Sequence, residues 1–131
     1  MADAVTTQVI FDGSKKAILK FTNISDGTGE SAVVKVDVST LVDAPTKVTI
    51  NKIWFSADGM AVKLLWDADA DVLVYIIPSN QNGFLDFSSF AGIKNNAGTG
   101  VTGDLLFTTI GHTAGDSYSI ILEVTKIWFN L

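Results

Sequence analysis

Turn residues divide this 131-residue chain into short apolar runs, and this division limits the fold more than any other feature of the sequence. Aspartate and glycine occur together at Asp12-Gly13, Asp26-Gly27, Asp58-Gly59 and Gly115-Asp116. These pairs favour turns because aspartate bonds to its own backbone and glycine adopts positive φ angles. No segment has a convincing helical period, so the sequence predicts an all-β protein.

The runs between the turns have the length and alternation of strands. From Ala17 to Phe21 and from Val34 to Val38, apolar residues occupy alternate positions, as in half-buried strands. Strands at these intervals predict a single antiparallel β-sandwich or jelly roll over residues 1–131. The predicted strands, about eight in number, are Val5–Phe11, Ala17–Phe21, Ala32–Val38, Lys47–Phe55, Ala61–Trp66, Val72–Ile77, Leu105–Thr109 and Ser117–Phe129.

Two segments between the strands are predicted to be loops. The stretch from Ser79 to Gly83 is polar, and the stretch from Lys94 to Gly103 is rich in glycine. A long loop on a compact β scaffold is either functional or mobile. The only helix candidate is a turn or two near Ser88–Ala91.

The tetrapeptide Lys-Ile-Trp-Phe occurs twice, at Lys52–Phe55 and Lys126–Phe129. In each copy the apolar residues before the lysine occupy even positions. The apolar residues after it occupy odd positions and are predicted to point the opposite way, namely Ile53, Phe55, Ile127 and Phe129. Such a strand is either buried on both faces or contains a β-bulge that reverses the phase. The flanking sequences do not match, so we infer no duplication of a whole domain.

Both copies leave a large aromatic surface that something must cover. For the first copy, which lies inside the chain, we expect the core and a facing sheet to provide the cover. The second copy is followed by only two more residues. We therefore predict that Ile127, Trp128 and Phe129 form an intermolecular contact.

Composition excludes several classes of function. There is no cysteine, so the chain has no disulfide and no thiolate site. All nine basic residues are lysine and the net charge is -5, which disfavours binding to nucleic acid. The longest strongly apolar run, Val72–Ile77, is far shorter than the ~20 residues of a membrane span. We therefore expect a soluble protein with no membrane or nucleic-acid partner.

Three motifs match part of a known site but lack its context. Gly98–Gly103 spells the dinucleotide-binding pattern, yet a polar segment precedes it and a strand-like run follows. Asp67, Asp69 and Asp71 begin like an EF-hand loop without its glycine and glutamate, so an irregular cation site and a solvated turn both stay open. His112 is the sole histidine, with no nucleophile motif elsewhere. We predict no enzyme activity and no catalytic, cofactor-binding or metal residues.

The aromatic residues leave two interpretations open. Three tryptophans and eight phenylalanines can provide stacking platforms for sugars, or they can form contacts between subunits. Most aromatic residues of a small β domain belong to its core. A carbohydrate-binding β module therefore stays an alternative to an assembly protein.

Several longer strings are similar to small virion proteins of tailed bacteriophages. They combine strand residues with turn residues and contain no mechanistic motif. Together they cover most of the chain: Phe21–Glu30, Ala61–Asp71, Gly83–Phe87, Ala91–Asn95, Gly100–Thr109 and Gly115–Ile120.

The resemblance implies a non-enzymatic structural part of a phage particle. Its first implication is a capsid decoration or cement protein on the outer capsid surface, made in the host cytoplasm, with the major capsid protein as its partner. It also implies a homo-oligomer, a trimer by analogy. A tail, neck or fibre component is the alternative within the virion.

Overall fold

A computed structural model describes residues 4–87, 89 and 92–128 of the chain. This part of the chain is all-β, as predicted, and none of its helices is long and apolar enough to cross a membrane. A short 3-10 helix covers Val38–Thr40, where the Asp37 side chain accepts a hydrogen bond from the Ser39 backbone N–H. The strands are β1 (Ala4–Asp12), β2 (Lys16–Ile24), β3 (Val33–Val36), β4 (Lys47–Asp58), β5 (Ala61–Trp66), β6 (Val72–Ile77), β7 (Gln81–Asp86), β8 (Leu105–Ile110) and β9 (Ser117–Ile127).

The strands form two antiparallel sheets. The order is β1-β2-β9-β4-β7 in the five-stranded sheet and β3-β8-β5-β6 in the four-stranded sheet. Strands pair inward from the two ends of the chain, β2 with β9, β3 with β8, β4 with β7 and β5 with β6. This nested pairing is that of a jelly roll, with β1 added at one edge.

The inward faces of the two sheets share one hydrophobic core. Phe21 of the five-stranded sheet meets Phe107 of the four-stranded sheet edge to face, with ring centroids 5.2 Å apart. Tyr118 packs on Phe107 in the same manner at 5.9 Å. Truncating a buried phenylalanine to alanine costs about 3–5 kcal/mol, so this cluster is a main contact between the sheets.

The strand bounds agree with the sequence prediction at β5 and β6 and differ most at β7. The polar stretch that we predicted to be a loop supplies Gln81–Gly83 to β7, where it pairs with Phe55–Ala57 of β4. Pairing with a core strand here outweighs the low β propensity of glutamine, asparagine and glycine. The helix candidate near Ser88–Ala91 lies outside the described residues, apart from Ser89.

The first Lys-Ile-Trp-Phe copy follows a β-bulge. The register of β4 with β9 shifts between Ile50 and Lys52, so that Asn51 is the extra residue. Beyond the bulge, Ile53 lies opposite Leu122 on the core face, and both side chains are 0% exposed. Ile53 therefore shares a face with Ile50, which corrects the prediction that the two point in opposite directions.

Candidate assembly surface

The second Lys-Ile-Trp-Phe copy begins at the end of β9, where the pairing with β4 has no bulge, so its lysine faces the interior. Lys126 is paired with the buried Val48 of β4, and its side chain is 0% exposed. Its ammonium contacts Asp12 Oδ1 at 2.5 Å and donates to the carbonyl oxygens of Gly13 at 2.6 Å and Val42 at 2.9 Å. The three acceptors use all three donors of the ammonium group.

The Asp12 carboxylate is held in its charged form at this end of the sandwich. Burial raises its pKa, but hydrogen bonds from the Lys126 ammonium and the Val42 N–H, together with the Lys126 charge, leave the pKa below its ordinary value. A lysine is rarely buried unless it is paired. The sequence prediction treated Lys126 only as a break in the apolar pattern and did not identify this contact.

Two of the three predicted contact residues, Ile127 and Trp128, lie at the end of β9 and directly after it. Ile127 is half-buried on the outer face of the five-stranded sheet. Trp128 is 40% exposed, and its indole N–H donates to the Asp43 carbonyl oxygen at 2.9 Å. Phe129 lies outside the described residues. The hydrogen bond to Asp43 holds one edge of the Trp128 ring, and the rest of the ring is partly open to solvent. The intermolecular role of these residues stays a prediction.

Strand β1, at the edge of the five-stranded sheet, is exposed on both faces. Val9 lies opposite the buried Leu19 and so shares the core face, yet it is 55% exposed. Val5, Ile10 and Phe11 are 41%, 51% and 48% exposed. Because the facing sheet has one strand fewer, β1 extends beyond it.

The free edge of β1 has little protection against pairing with another strand. From Ala4 to Phe11 it contains no charged residue and no proline, which are the common devices that prevent edge-to-edge association. Its bulge at Ile10 lies near the end of the strand and leaves the register regular from Ala4 to Val9. The unpaired backbone groups of this segment are available to a strand from another molecule.

The other edge strands present smaller surfaces. β3 has four residues and a register shift, β6 has six residues and another shift, and β7 has six residues that include Gly83 and Asp86. With nine residues, β1 is the longest edge in the described part of the chain. The sequence prediction treated β1 as an ordinary strand, although its lack of charge was visible.

An aromatic pair lies on the outer face of the five-stranded sheet. Trp54 and Phe84 are cross-strand neighbours on β4 and β7, and their rings stack with centroids 5.1 Å apart at 23°. Phe84 is 50% exposed. We expected the core and a facing sheet to cover the first tetrapeptide copy. Ile53 lies in the core, but Trp54 is covered only in part, by Phe84.

A groove runs beside the outer face of β4 and β9. It is lined by Lys47, Thr49, Lys94, Asn95 and Ile127, among others. Asn95 is 7% exposed, and its Oδ1 accepts a hydrogen bond from the backbone N–H two residues later. Its Nδ2 is buried and has no hydrogen-bond partner among the described residues.

The Gly-x-Gly-x-x-Gly segment is a loop that leads into β8, so a strand follows it and not a helix. Gly103 has a φ of +90°, and a Cβ there would lie 2.0 Å from the Thr46 carbonyl oxygen. Gly100 has a φ of +78° beside the Asp69 side chain. These glycines permit a left-handed backbone and a close approach, which explains the pattern without a ligand.

The alternating aspartates lie in the turn between β5 and β6 and form hydrogen bonds there. Asp67 Oδ2 accepts from Thr102 Oγ1 at 2.8 Å, and Asp71 Oδ1 accepts from the Ala68 N–H at 3.1 Å. Over the described ranges, no three His, Cys, Asp or Glu side chains are grouped so that they could hold a metal ion. Asp67 and Asp71 thus have local partners in the turn.

His112 lies in the turn between β8 and β9. Its Nδ1 is 3.2 Å from Thr109 Oγ1. Its ring lies against Gly29, where a Cβ would come within 2.2 Å of Nε2. These contacts give the histidine a packing role between two loops.

Known proteins do not identify the family of this chain. No protein-family model matches it, and a search of the curated proteins finds no match.

Proposed function

We propose that this chain is a non-enzymatic structural protein of a tailed-phage virion, a decoration or cement protein that binds the major capsid lattice. The observation that carries the proposal is the uncharged β1 edge, which is exposed on both faces. Its free backbone groups can pair with a strand of a neighbouring subunit, and Val5, Val9 and Phe11 add apolar contact area. The resemblance to phage virion proteins supports the same role.

Cementing requires a protein that binds the assembled lattice in preference to free capsid subunits. Such binding stabilises the lattice by mass action, by about 2.7 kcal/mol per site when the free protein exceeds its Kd a hundredfold. A closed homo-oligomer, a trimer by analogy, would present several β1 edges at once. Multivalent binding to a repeating lattice then gains affinity without any new type of contact.

Reconstitution on capsids tests the role. Purified protein is added to expanded capsids that lack it, and the capsid melting temperature and the number of bound copies are measured. We expect a rise in melting temperature and a copy number that follows the number of lattice positions. Binding confined to one vertex or to tails would contradict the decoration role and support a neck, tail or fibre component.

A pair of variants tests whether β1 makes the contact. Val9→Lys places a charge on the free edge, whereas Val101→Lys makes the same change on a loop where the side chain is 45% exposed. Both should leave the unfolding free energy within about 0.5 kcal/mol of wild type, because both sites are exposed. We expect only Val9→Lys to abolish the rise in capsid melting temperature. Equal behaviour of the two variants would exclude β1 as the contact.

The stacked Trp54–Phe84 pair favours a second candidate function, a carbohydrate-binding module. An exposed aromatic surface can stack on a sugar ring, and the Phe84 side chain of this pair is 50% exposed. Binding would quench tryptophan fluorescence in the wild type and be lost in Trp54→Ala. An absence of binding across a broad glycan array would remove this candidate.

A further inference from the structure

A buried polar cluster joins the two sheets at the end of the sandwich where β2 and β3 meet. Asn23 on β2 is 1% exposed, and the side chains of Lys35 on β3 and Glu30 between the strands are 2% and 5% exposed. Burying a lysine and a glutamate together is costly unless each is paired with good geometry. These two charges therefore differ from ordinary surface charges, which water solvates.

One carboxylate bridges an amine and a carboxamide in this cluster. Glu30 Oε2 lies 2.5 Å from Lys35 Nζ, while Glu30 Oε1 accepts hydrogen bonds from Asn23 Nδ2 at 2.9 Å and from the Tyr118 hydroxyl at 2.6 Å. The Lys35 amine and the Asn23 carboxamide thus contact the two oxygens of a single carboxylate. Such proximity replaces an encounter in solution by a reaction within one site.

The backbone and the surrounding rings hold this geometry and keep it dry. Glu30 is fixed to β8 because its N–H donates to Thr109 Oγ1 at 2.8 Å and its carbonyl accepts from the Thr109 N–H at 3.0 Å. Lys35 Nζ lies 5.9 Å from the centroid of the Phe107 ring, which itself packs against Phe21 and Tyr118. Excluding water favours attack by the amine over hydrolysis of the amide.

We infer that Lys35 and Asn23 form an intramolecular isopeptide bond with Glu30 as the proton-transfer group. A proton passes from the Lys35 ammonium to the Glu30 carboxylate, which frees the electron pair on Nζ. Nζ attacks Asn23 Cγ, the new Nζ–Cγ bond forms and the Cγ–Nδ2 bond breaks. Glu30 takes the second proton from Nζ and supplies one to Nδ2, which leaves as ammonia.

The product is a covalent link between the two sheets. The reaction is neutral overall and needs neither an oxidant nor a reductant, since one amide replaces another. It converts a buried ammonium–carboxylate pair into an amide and a carboxylic acid, and so removes the cost of burying two charges. This inference concerns the chain itself and is independent of the proposed virion role.

Mass spectrometry of the full-length protein tests the bond. We expect the intact mass to be lower than the sequence mass by one ammonia. Trypsin should not cleave after Lys35, so a peptide covering residues 21–47 should appear with the same loss, in place of peptides 21–35 and 36–47. An unmodified peptide 21–35 as the main product would overturn the inference, whether or not any variant folds.

Variants assign the roles of the three residues. Lys35→Arg and Glu30→Gln should retain the full mass, whereas Asn23→Asp should lose water in place of ammonia. Lys63→Arg, on an outward-facing position of β5, should keep the loss of ammonia. Two results would refute the Lys35–Asn23 bond. One is a loss of ammonia found in the peptide that contains Asn82-Gly83, where succinimide formation releases ammonia. The other is a loss of ammonia that persists in Lys35→Arg.

Discussion

Lys126 on β9 holds Asp12 at the end of β1, although β2 lies between these two strands in the sheet. The same ammonium binds the carbonyl oxygens of Gly13, in the turn between β1 and β2, and of Val42, in the loop before β4. Asp12 in turn accepts a hydrogen bond from the Val42 N–H at 3.0 Å. The Asp12 end of the proposed contact strand β1 is therefore tied to β9 by one buried lysine, in addition to the pairing of β1 with β2.

Lys126→Met should destabilise the fold strongly. Methionine preserves most of the apolar stem but leaves Asp12 without its counter-ion and two carbonyl oxygens without a donor. Removing one partner of a buried pair costs about 3–5 kcal/mol, and we expect the urea midpoint to fall accordingly. Lys94→Met, at an exposed lysine, is the control and should change the unfolding free energy by less than about 0.5 kcal/mol. Similar midpoints for the two variants would contradict the role of Lys126.

Asp12 should make the unfolding free energy depend on pH in the acid range. Its folded-state pKa is lowered despite burial, so the folded protein binds this proton more weakly than the unfolded chain does. The contribution of Asp12 to the unfolding free energy is fully present above its unfolded-state pKa of about 3.9. It is lost as the pH falls through the lower folded-state pKa. The stability difference between wild type and Asp12→Asn should therefore shrink below about pH 4. A difference that stays constant from neutral pH to pH 2 would contradict this.

Local sequence pattern predicted the strands better than the contacts between them. The alternation in β2 and the bounds of β5 and β6 follow from neighbouring residues alone. β7 was not predicted, because Gln81–Gly83 become a strand only through pairing with β4. The nested jelly-roll order likewise arises from partners distant in sequence, which no local period reports.

The two identical tetrapeptides show how context decides a side chain's position. In the first, a bulge at Asn51 places Ile53 in the core and leaves Lys52 on the outer face. In the second, the strand continues without a bulge, so that Lys126 is buried and Ile127 faces outward. A lysine is usually exposed, and only the three acceptors supplied by the end of β1, the following turn and the loop before β4 make its burial favourable.

Asp104→Asn should stabilise the protein at neutral pH. Burial and the charges of Asp37 and Asp67 raise its pKa, against the effect of the hydrogen bond from the Val38 N–H. The folded state binds this proton more tightly than the unfolded state, so stability falls as pH rises from the unfolded pKa through the folded one. The amide keeps an acceptor for the Val38 N–H and removes the repulsion.

Urea unfolding of Asp104→Asn measures this effect. We expect a gain of about 0.5 kcal/mol at pH 7, because the site is partly solvated, and no gain below about pH 3.5. Asp58→Asn, an identical change at an exposed site, should give no comparable gain. A destabilised Asp104→Asn at pH 7 would show that the hydrogen bond outweighs the repulsion.

Two alanine variants test which glycines of the Lys94–Gly103 loop the fold requires. Gly103→Ala should destabilise the protein, whereas Gly98→Ala should not. At Gly103 the φ of +90° and the nearby Thr46 carbonyl oxygen oppose a methyl group, whereas a Cβ at Gly98 meets no atom within 4 Å. Strain and overlap should cost about 2–4 kcal/mol at Gly103. Gly98→Ala should be neutral or slightly stabilising by thermal unfolding. Equal melting temperatures would show that the loop relaxes around the methyl group.

Trp128→Ala tests the predicted contact at the end of β9. In the isolated chain the change removes one hydrogen bond, to the Asp43 carbonyl oxygen, and the packing of a ring that is 40% exposed, so the loss of unfolding free energy should be about 2–3 kcal/mol and the fold should persist. A tryptophan at the centre of an interface costs at least about 2 kcal/mol when truncated, or roughly 30-fold in Kd.

Sedimentation of the free protein and titration onto capsids measure that loss, with Trp54→Ala as the matched control from the first tetrapeptide copy. Trp54 already stacks on Phe84 within the chain. We therefore expect its removal to leave assembly unchanged while removal of Trp128 weakens it. A folded Trp128→Ala protein that assembles with wild-type affinity would place the contact elsewhere, and β1 would then be the surface left to account for it.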